Sequence, residues 1–177
     1  VPYPDDLLED LCARAGVTGT GCLLDLACGP GRVALPLSKR FSQVLAVDQE
    51  PEMIDVGRSE ADRLGIDNLA WQVERAEALR IDPESIELIT IGEAFHRLDR
   101  DATAALALKW LEPGGGLATL GCYGLTRGTE PWHQIMRDVL RAWTHKQAEA
   151  GARRPSRRYE GIVDDDETMS RAGFVQV

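Results

Sequence analysis

The chain has 177 residues, of which 44% are hydrophobic and 28% charged, with a formal net charge of −9. That length suits one compact domain with a sizeable core, and the acidic balance argues against a general nucleic-acid or anionic-membrane binder, since both need basic surface. No apolar run approaches the roughly 18 residues of a bilayer span.

Four cysteines, Cys12, Cys22, Cys28 and Cys122, show no CxxC spacing and no His-rich companion segment. This argues against a zinc site or a disulfide framework and suits reduced thiols in a cytoplasmic protein. The first residues lack the layout of a signal peptide, although the chain opens on Val1 and not Met.

In chain order, helix and strand patterns alternate. Asp5 to Ala15 reads as a helix with Leu7, Leu8, Leu11 and Cys12 on one face. Cys22 to Leu26 is a short apolar strand, and Arg32 to Arg40 begins a helix directly after a glycine turn. Gln43 to Val47 is a second strand ending on Asp48, followed by a helix from Glu52 to Leu64 that Gly65 closes. Leu69 to Val73, Glu87 to Ile91 and Gly116 to Gly121 are the third, fourth and fifth strands, with a helix from Asp101 to Leu111 before the last. Strands this short and apolar, separated by helices, indicate a parallel sheet covered on both faces.

After the fifth strand the rhythm changes. Tyr123 to Tyr159 is too long for a simple connection. Within it, Trp132, Ile135, Met136, Val139, Leu140 and Trp143 form an amphipathic stripe on a helix starting at Pro131 and running to about Ala150. The basic stretch holding Arg153, Arg154, Arg157 and Arg158 reads as a solvated loop. Asp164 to Asp166 suit a helix N-terminus, Gly173 ends that helix, and Phe174 to Val177 begins a sixth strand.

The chemistry is concentrated in the glycine turn. GPGRVA, residues 29 to 34, satisfies a dinucleotide-binding pattern, and Asp48 lies at about the expected distance downstream. Asp25 opposes that reading. A dinucleotide loop sets a helix N-terminus against a pyrophosphate, which a neighbouring carboxylate would repel. A ligand bearing a cationic amino group fits better, and no Tyr-x-x-x-Lys pair is present to serve an NAD-dependent reductase.

DLACGPGR at the end of the first strand resembles the first motif of class I S-adenosylmethionine (SAM) dependent methyltransferases, and the likeness continues along nearly the whole chain. VLAVDQEPEMI, IELITIGEAFHRLD and LKWLEPGGGLATLG are similar, in order, to the second strand, the fourth strand and the fifth-strand turn of the type 11 small-molecule methyltransferases. The resemblance implies an α/β, Rossmann-like, mostly parallel sheet with helices on both faces. It implies one SAM-binding domain over residues 1–177, a helical substrate cap inserted over 123–160, and the fold's last strand or strands missing from the chain.

It also implies SAM as cofactor, with S-adenosylhomocysteine as product and a small-molecule acceptor methylated at oxygen. Neither nucleic acid, membrane nor metal is expected, and oligomeric state is open. The implied cofactor residues are Asp25, Ala27, Cys28, Gly29, Gly31, Asp48 (ribose hydroxyls), Gln49, Met53 (adenine), Ala76, Glu77 and Gly92. Tyr3, in a Tyr-Pro segment of the kind that lies across the cofactor, is a lid residue beside the acceptor; Phe95, Trp132, Met136 and Trp143 complete the acceptor set.

His96 and Glu93 are the candidate bases for a hydroxyl acceptor, because an imidazole pKa near ~6.5 suits that task. Two positions depart from the family pattern. Arg75 stands where an adenine-binding Asp is usual, and Arg97 where a Trp follows the His. These departures leave a non-catalytic SAM-binding or scaffold protein as the alternative reading.

Overall fold

A computed structural model describes residues 3–121, 130–149 and 165–176. The basic stretch and Asp164 lie outside these residues. The chain divides into two compact units, residues 1–120 with 166–177, and residues 121–165.

The first unit is an open parallel sheet. Its elements are helix α1 (Asp5–Arg14), strand β1 (Cys22–Leu26), helix α2 (Ala34–Leu37), strand β2 (Gln43–Asp48), helix α3 (Pro51–Leu64), strand β3 (Leu69–Val73), strand β4 (Ile86–Gly92), helix α4 (Arg100–Trp110) and strand β5 (Leu111–Leu120). The strand order is β3-β2-β1-β4-β5, and every pairing is parallel. Because the chain runs outward from β1 in both directions, the order reverses beside β1, which is where open α/β sheets take their ligands.

Alternation along β1 divides the core. Leu23 joins Leu8, Leu11, Leu37, Val44, Ile54 and Leu88 on one face. Leu24 and Leu26 join Val47, Ile89, Ile91, Phe95 and Trp110 on the other. Both faces are covered, so β1 and β4 are buried along nearly their whole length.

Local chemistry sets the element ends. Pro51 opens α3, and Gly65 closes it with φ +67 while Ile66 donates its N–H to the Ala61 carbonyl. Asp99 caps α4 by accepting from the Ala102 N–H at 3.2 Å. At the amino end of β4, the buried Glu87 carboxylate accepts the N–H groups of Thr18 (2.6 Å) and Gly21 (3.2 Å), which pins the connection entering β1.

Three boundaries differ from the sequence expectation. The helix after the glycine turn is four residues long and continues as a 3-10 turn through Arg40. Strand β5 starts at Leu111, five residues early, because Leu111 pairs with Ile86 before the PGG segment bulges, and pairing resumes with Gly116 opposite Leu88. Residues 174–176 form no strand. Phe174 instead donates to the Met169 carbonyl, closing helix α6 (Asp165–Ala172) over Gly173 at φ +107, and its side chain packs on the second core cluster.

In the second unit the described residues form helix α5 (Pro131–Glu149). Trp132, Ile135, Val139, Leu140 and Trp143 are exposed, Met136 is half-buried, and Trp132 stacks on the His133 ring with centroids 3.5 Å apart.

Candidate functional site

At the carboxyl edge of the sheet, β1 and β4 each turn sharply just past their last residue. Ala27 (φ 52) and Glu93 (φ 54) both adopt the left-handed region, which non-glycine residues seldom occupy. Two neighbouring strand ends thus carry the same backbone strain at one edge of the sheet.

After Ala27 the chain closes into a compact loop. Cys28 donates its N–H to Val47 O, Gly31 donates to Cys28 O at 3.0 Å, and Leu35 donates to Gly31 O at 2.9 Å, starting α2. Asp48, at the end of β2, ties this loop to the next one. Its Oδ2 accepts the Gly29 N–H at 2.7 Å and its Oδ1 the Glu50 N–H at 2.9 Å. An ionised carboxylate offers about four acceptor sites, so two remain for a ligand.

Asp25 is spent differently. It is 1% exposed, and parallel register sets it beside Thr90 of β4. Thr90 Oγ1 donates to Oδ1 at 2.8 Å, and the Ala34 N–H at the start of α2 donates to Oδ2 at 3.1 Å. Burial drives its pKa up to about 7, against the pull of those two hydrogen bonds and with help from the Asp48 charge. Both oxygens of the carboxylate expected to face a ligand's amino group are thus engaged within the protein, where it serves as an internal brace.

Cys28 is buried too. Burial, then the Asp25 and Asp48 charges, push its thiol far up, so it stays protonated.

The loop leaves space on one side. A Cβ on Gly29 (φ +54) would meet nothing within 4 Å, whereas one on Gly31 (φ +79) would lie 2.6 Å from Trp71 Cη2. Gly29 therefore faces open space, whereas a side chain at Gly31 would collide with the protein's own packing. The open space at Gly29, the remaining acceptor capacity of Asp48 and the two carboxylates beneath the loop fit a cationic nucleoside cofactor.

Tyr3 reaches the same edge. Its Oη would be 2.9 Å from a Cβ on Gly92, and burial, then the charges of Glu93 and Asp25, raise its pKa. The fold thus gathers Tyr3, Asp25, Ala27, Cys28, Gly29, Gly31, Asp48, Gly92 and Glu93 at one edge of the sheet.

Other expected residues are placed as follows. Met53 and Gln49 are exposed, beyond the end of β2. Ala76 is buried, and the Glu77 carboxylate is already engaged, accepting the Asp99 N–H at 3.0 Å with Arg75 at 3.6 Å. The backbone bond, foremost, and Arg75 hold its pKa low. Off-pattern Arg75 is thus the partner of Glu77.

Phe95 departs from its expected place beside the acceptor. It is 1% exposed and packs in the second core cluster, because the 3-10 turn Phe95–Arg97 lays its first side chain back on the sheet. His96, next on that turn, is exposed. Trp132, Met136 and Trp143 belong to the second unit. Among the described residues, no cluster of His, Cys, Asp or Glu could hold a metal ion, and no helix is long and apolar enough to cross a membrane.

Sequence reasoning missed Thr90 and the contact of Trp71 with Gly31 and Gly57. The signals were there: a hydroxyl inside an apolar strand, and a glycine inside a helix, which costs about 1 kcal/mol and calls for a packing reason.

The methyltransferase domain family matches residues 23–115, a span from the start of β1 into β5. A ubiquinone/menaquinone biosynthesis C-methyltransferase, UbiE, of Shewanella piezotolerans is 31% identical over 96% of this chain and 71% of its own. A methyltransferase of Schizosaccharomyces pombe is 26% identical over 78% of this chain and 53% of its own. The chain therefore spans about half the length of some of the relatives it matches. Among solved structures, Bacillus subtilis YcgJ has a TM-score of 0.69 at 21% identity, covering 96% of this chain and 68% of its own. A geranyl diphosphate methyltransferase in complex with SAM reaches 0.64 at 20% identity, over 94% of this chain and 63% of its own, a likeness of fold. With the domain match covering more than half of its residues, this chain belongs to the class I SAM-dependent methyltransferases.

Proposed function

We propose that the chain is the catalytic domain of an enzyme that methylates a small organic acceptor at a hydroxyl oxygen. The observation that carries this reading is the pairing of Asp48 with the open face of Gly29. Asp48 would accept the cofactor's ribose hydroxyls on its two remaining sites. Gly29 would let the backbone lie against the cofactor, and Met53 and Gln49, exposed beyond β2, would flank its adenine. Asp25 and Asp48 place negative charge under the loop, which suits a cation and opposes a pyrophosphate.

When bound, SAM supplies a methyl group on a cationic sulfonium. The chain contributes position, and for a hydroxyl acceptor a base. His96 and Glu93, both exposed past β4, are the candidates to take the hydroxyl proton. Tyr3 is proposed as the lid over Gly92. Helix α5 is proposed as the cap, lending Trp132, Met136 and Trp143 to an apolar acceptor. Domain limits of 1–177, with 123–160 as the inserted cap, belong to this proposal, as does a cytoplasmic setting.

A second reading places the methyl on carbon, which the names of the UbiE relatives favour. The same base serves it, since deprotonating a phenol also activates its ring carbons.

Calorimetry with SAM, S-adenosylhomocysteine and NADH tests the cofactor. Binding of the first two without NADH is expected; tight NADH binding without SAM would overturn the reading. SAM binding without turnover across phenolic, alcoholic and carbon acceptors would favour the scaffold alternative.

A further inference from the structure

Two glycines on different elements make room for one indole. An ideal Cβ on Gly31, in the loop after β1, would lie 2.6 Å from Trp71 Cη2. An ideal Cβ on Gly57, inside α3, would overlap that same atom and lie 2.5 Å from Cζ3. Trp71 itself stands on β3 opposite Ala46, a small residue that leaves the ring free to extend. The tip of the indole is therefore wedged between the backbone of α3 and the backbone of the loop.

Helix interiors disfavour glycine by about 1 kcal/mol relative to alanine, so Gly57 is retained against its own element's preference. Two residues earlier in the loop, Gly29 donates to Asp48 in the 2.7 Å hydrogen bond. The loop is thus fixed at two points, by a polar tether and by an aromatic floor.

We propose that Trp71 is a positioning residue for the cofactor loop: its indole tip sets the height of Gly31, and with it the open face of Gly29. This rests on the proposed SAM site but needs no contact between Trp71 and any ligand. Trp71→Phe removes the benzo tip and lowers the floor. Gly57→Ala pushes the tip toward Gly31 and raises it. The two errors have opposite sign, so the pair should cancel in part, as neighbouring sites do when they share one contact.

The test uses four proteins: wild type, Trp71→Phe, Gly57→Ala and the double variant. Hydrogen exchange of the Gly29 and Gly31 amides is followed without ligand, and SAM affinity by calorimetry. Each single variant should speed exchange at these two amides and weaken SAM by about fivefold or more, with the double variant closer to wild type than Gly57→Ala. Unchanged loop exchange, with only the melting temperature lowered, would overturn the proposal and leave Trp71 as ordinary packing. Faster exchange in the singles and recovery in the double, in a protein that binds no SAM, would sink the cofactor reading while leaving the floor in place. Strictly additive damage in the double variant would also overturn it.

Discussion

Asp25→Asn should change how stability depends on pH. The carboxyl is fully buried, and its pKa stands at about 7 in the fold against 3.8 for the free group. A pKa raised by folding means the native state holds the proton more tightly, so the associated stability is present below about pH 4 and is lost as pH rises through 7. That rise corresponds to about 4 kcal/mol across the whole window, and roughly half of it falls between pH 5 and 8. Asparagine keeps the shape without the charge. Its oxygen can accept from the Ala34 N–H and its nitrogen can donate to Thr90 Oγ1, whose hydroxyl can turn to accept.

The assay is urea unfolding of both proteins, without cofactor, from pH 5 to 8. Taking the difference between them removes every other titrating group. Asp25→Asn should gain on wild type steadily with rising pH, by about 2 kcal/mol in total. A difference constant to within about 0.5 kcal/mol would show that Asp25 is ionised throughout and that burial is not what governs it.

In the same pair of proteins, SAM should bind wild type more weakly as pH falls below 7, because a cation favours the ionised brace, while Asp25→Asn should be flat; calorimetry in matched buffers decides it. Asp48→Ala should weaken SAM by about 1.5–3 kcal/mol, and unaltered affinity would remove Asp48 from the site. Gly29→Val should lose SAM binding at a cost of about 1–2 kcal/mol in stability, since its side chain enters open space from a left-handed backbone. Gly31→Val should fail to fold against Trp71 and Leu35, and equal melting temperatures for the two variants would contradict the assignment. His96→Gln should lower kcat by about 10²-fold or more with SAM affinity intact if the imidazole is the base; retained activity would leave catalysis to position alone.

Much of the framework was legible along the chain. The short apolar strands and the stop at Gly65 depend on neighbours a few residues away, where sequence patterns are strongest. The glycine loop and Asp48 were legible for the same reason, since each ends a strand that announces itself. The internal bonding of Asp25 was not legible, because its partner Thr90 is 65 residues distant and is brought alongside only by strand register. The burial of Phe95 was hidden in a similar way. Its position after β4 signals the ligand edge, but the direction of its ring depends on a 3-10 turn that apolar patterning cannot foresee. The roles of Gly31 and Gly57 emerged only with Trp71 in place between them.

A protein that holds a methyl sulfonium is holding an alkylating agent, and its own nucleophiles are the first targets within reach. Cys28 sits in the glycine loop, yet burial foremost, and then the two carboxylates, keep it a thiol and not a thiolate. The negative charge proposed to welcome the cofactor thus adds to what burial already does, and the site that attracts the reagent also disarms a sulfur of its own loop.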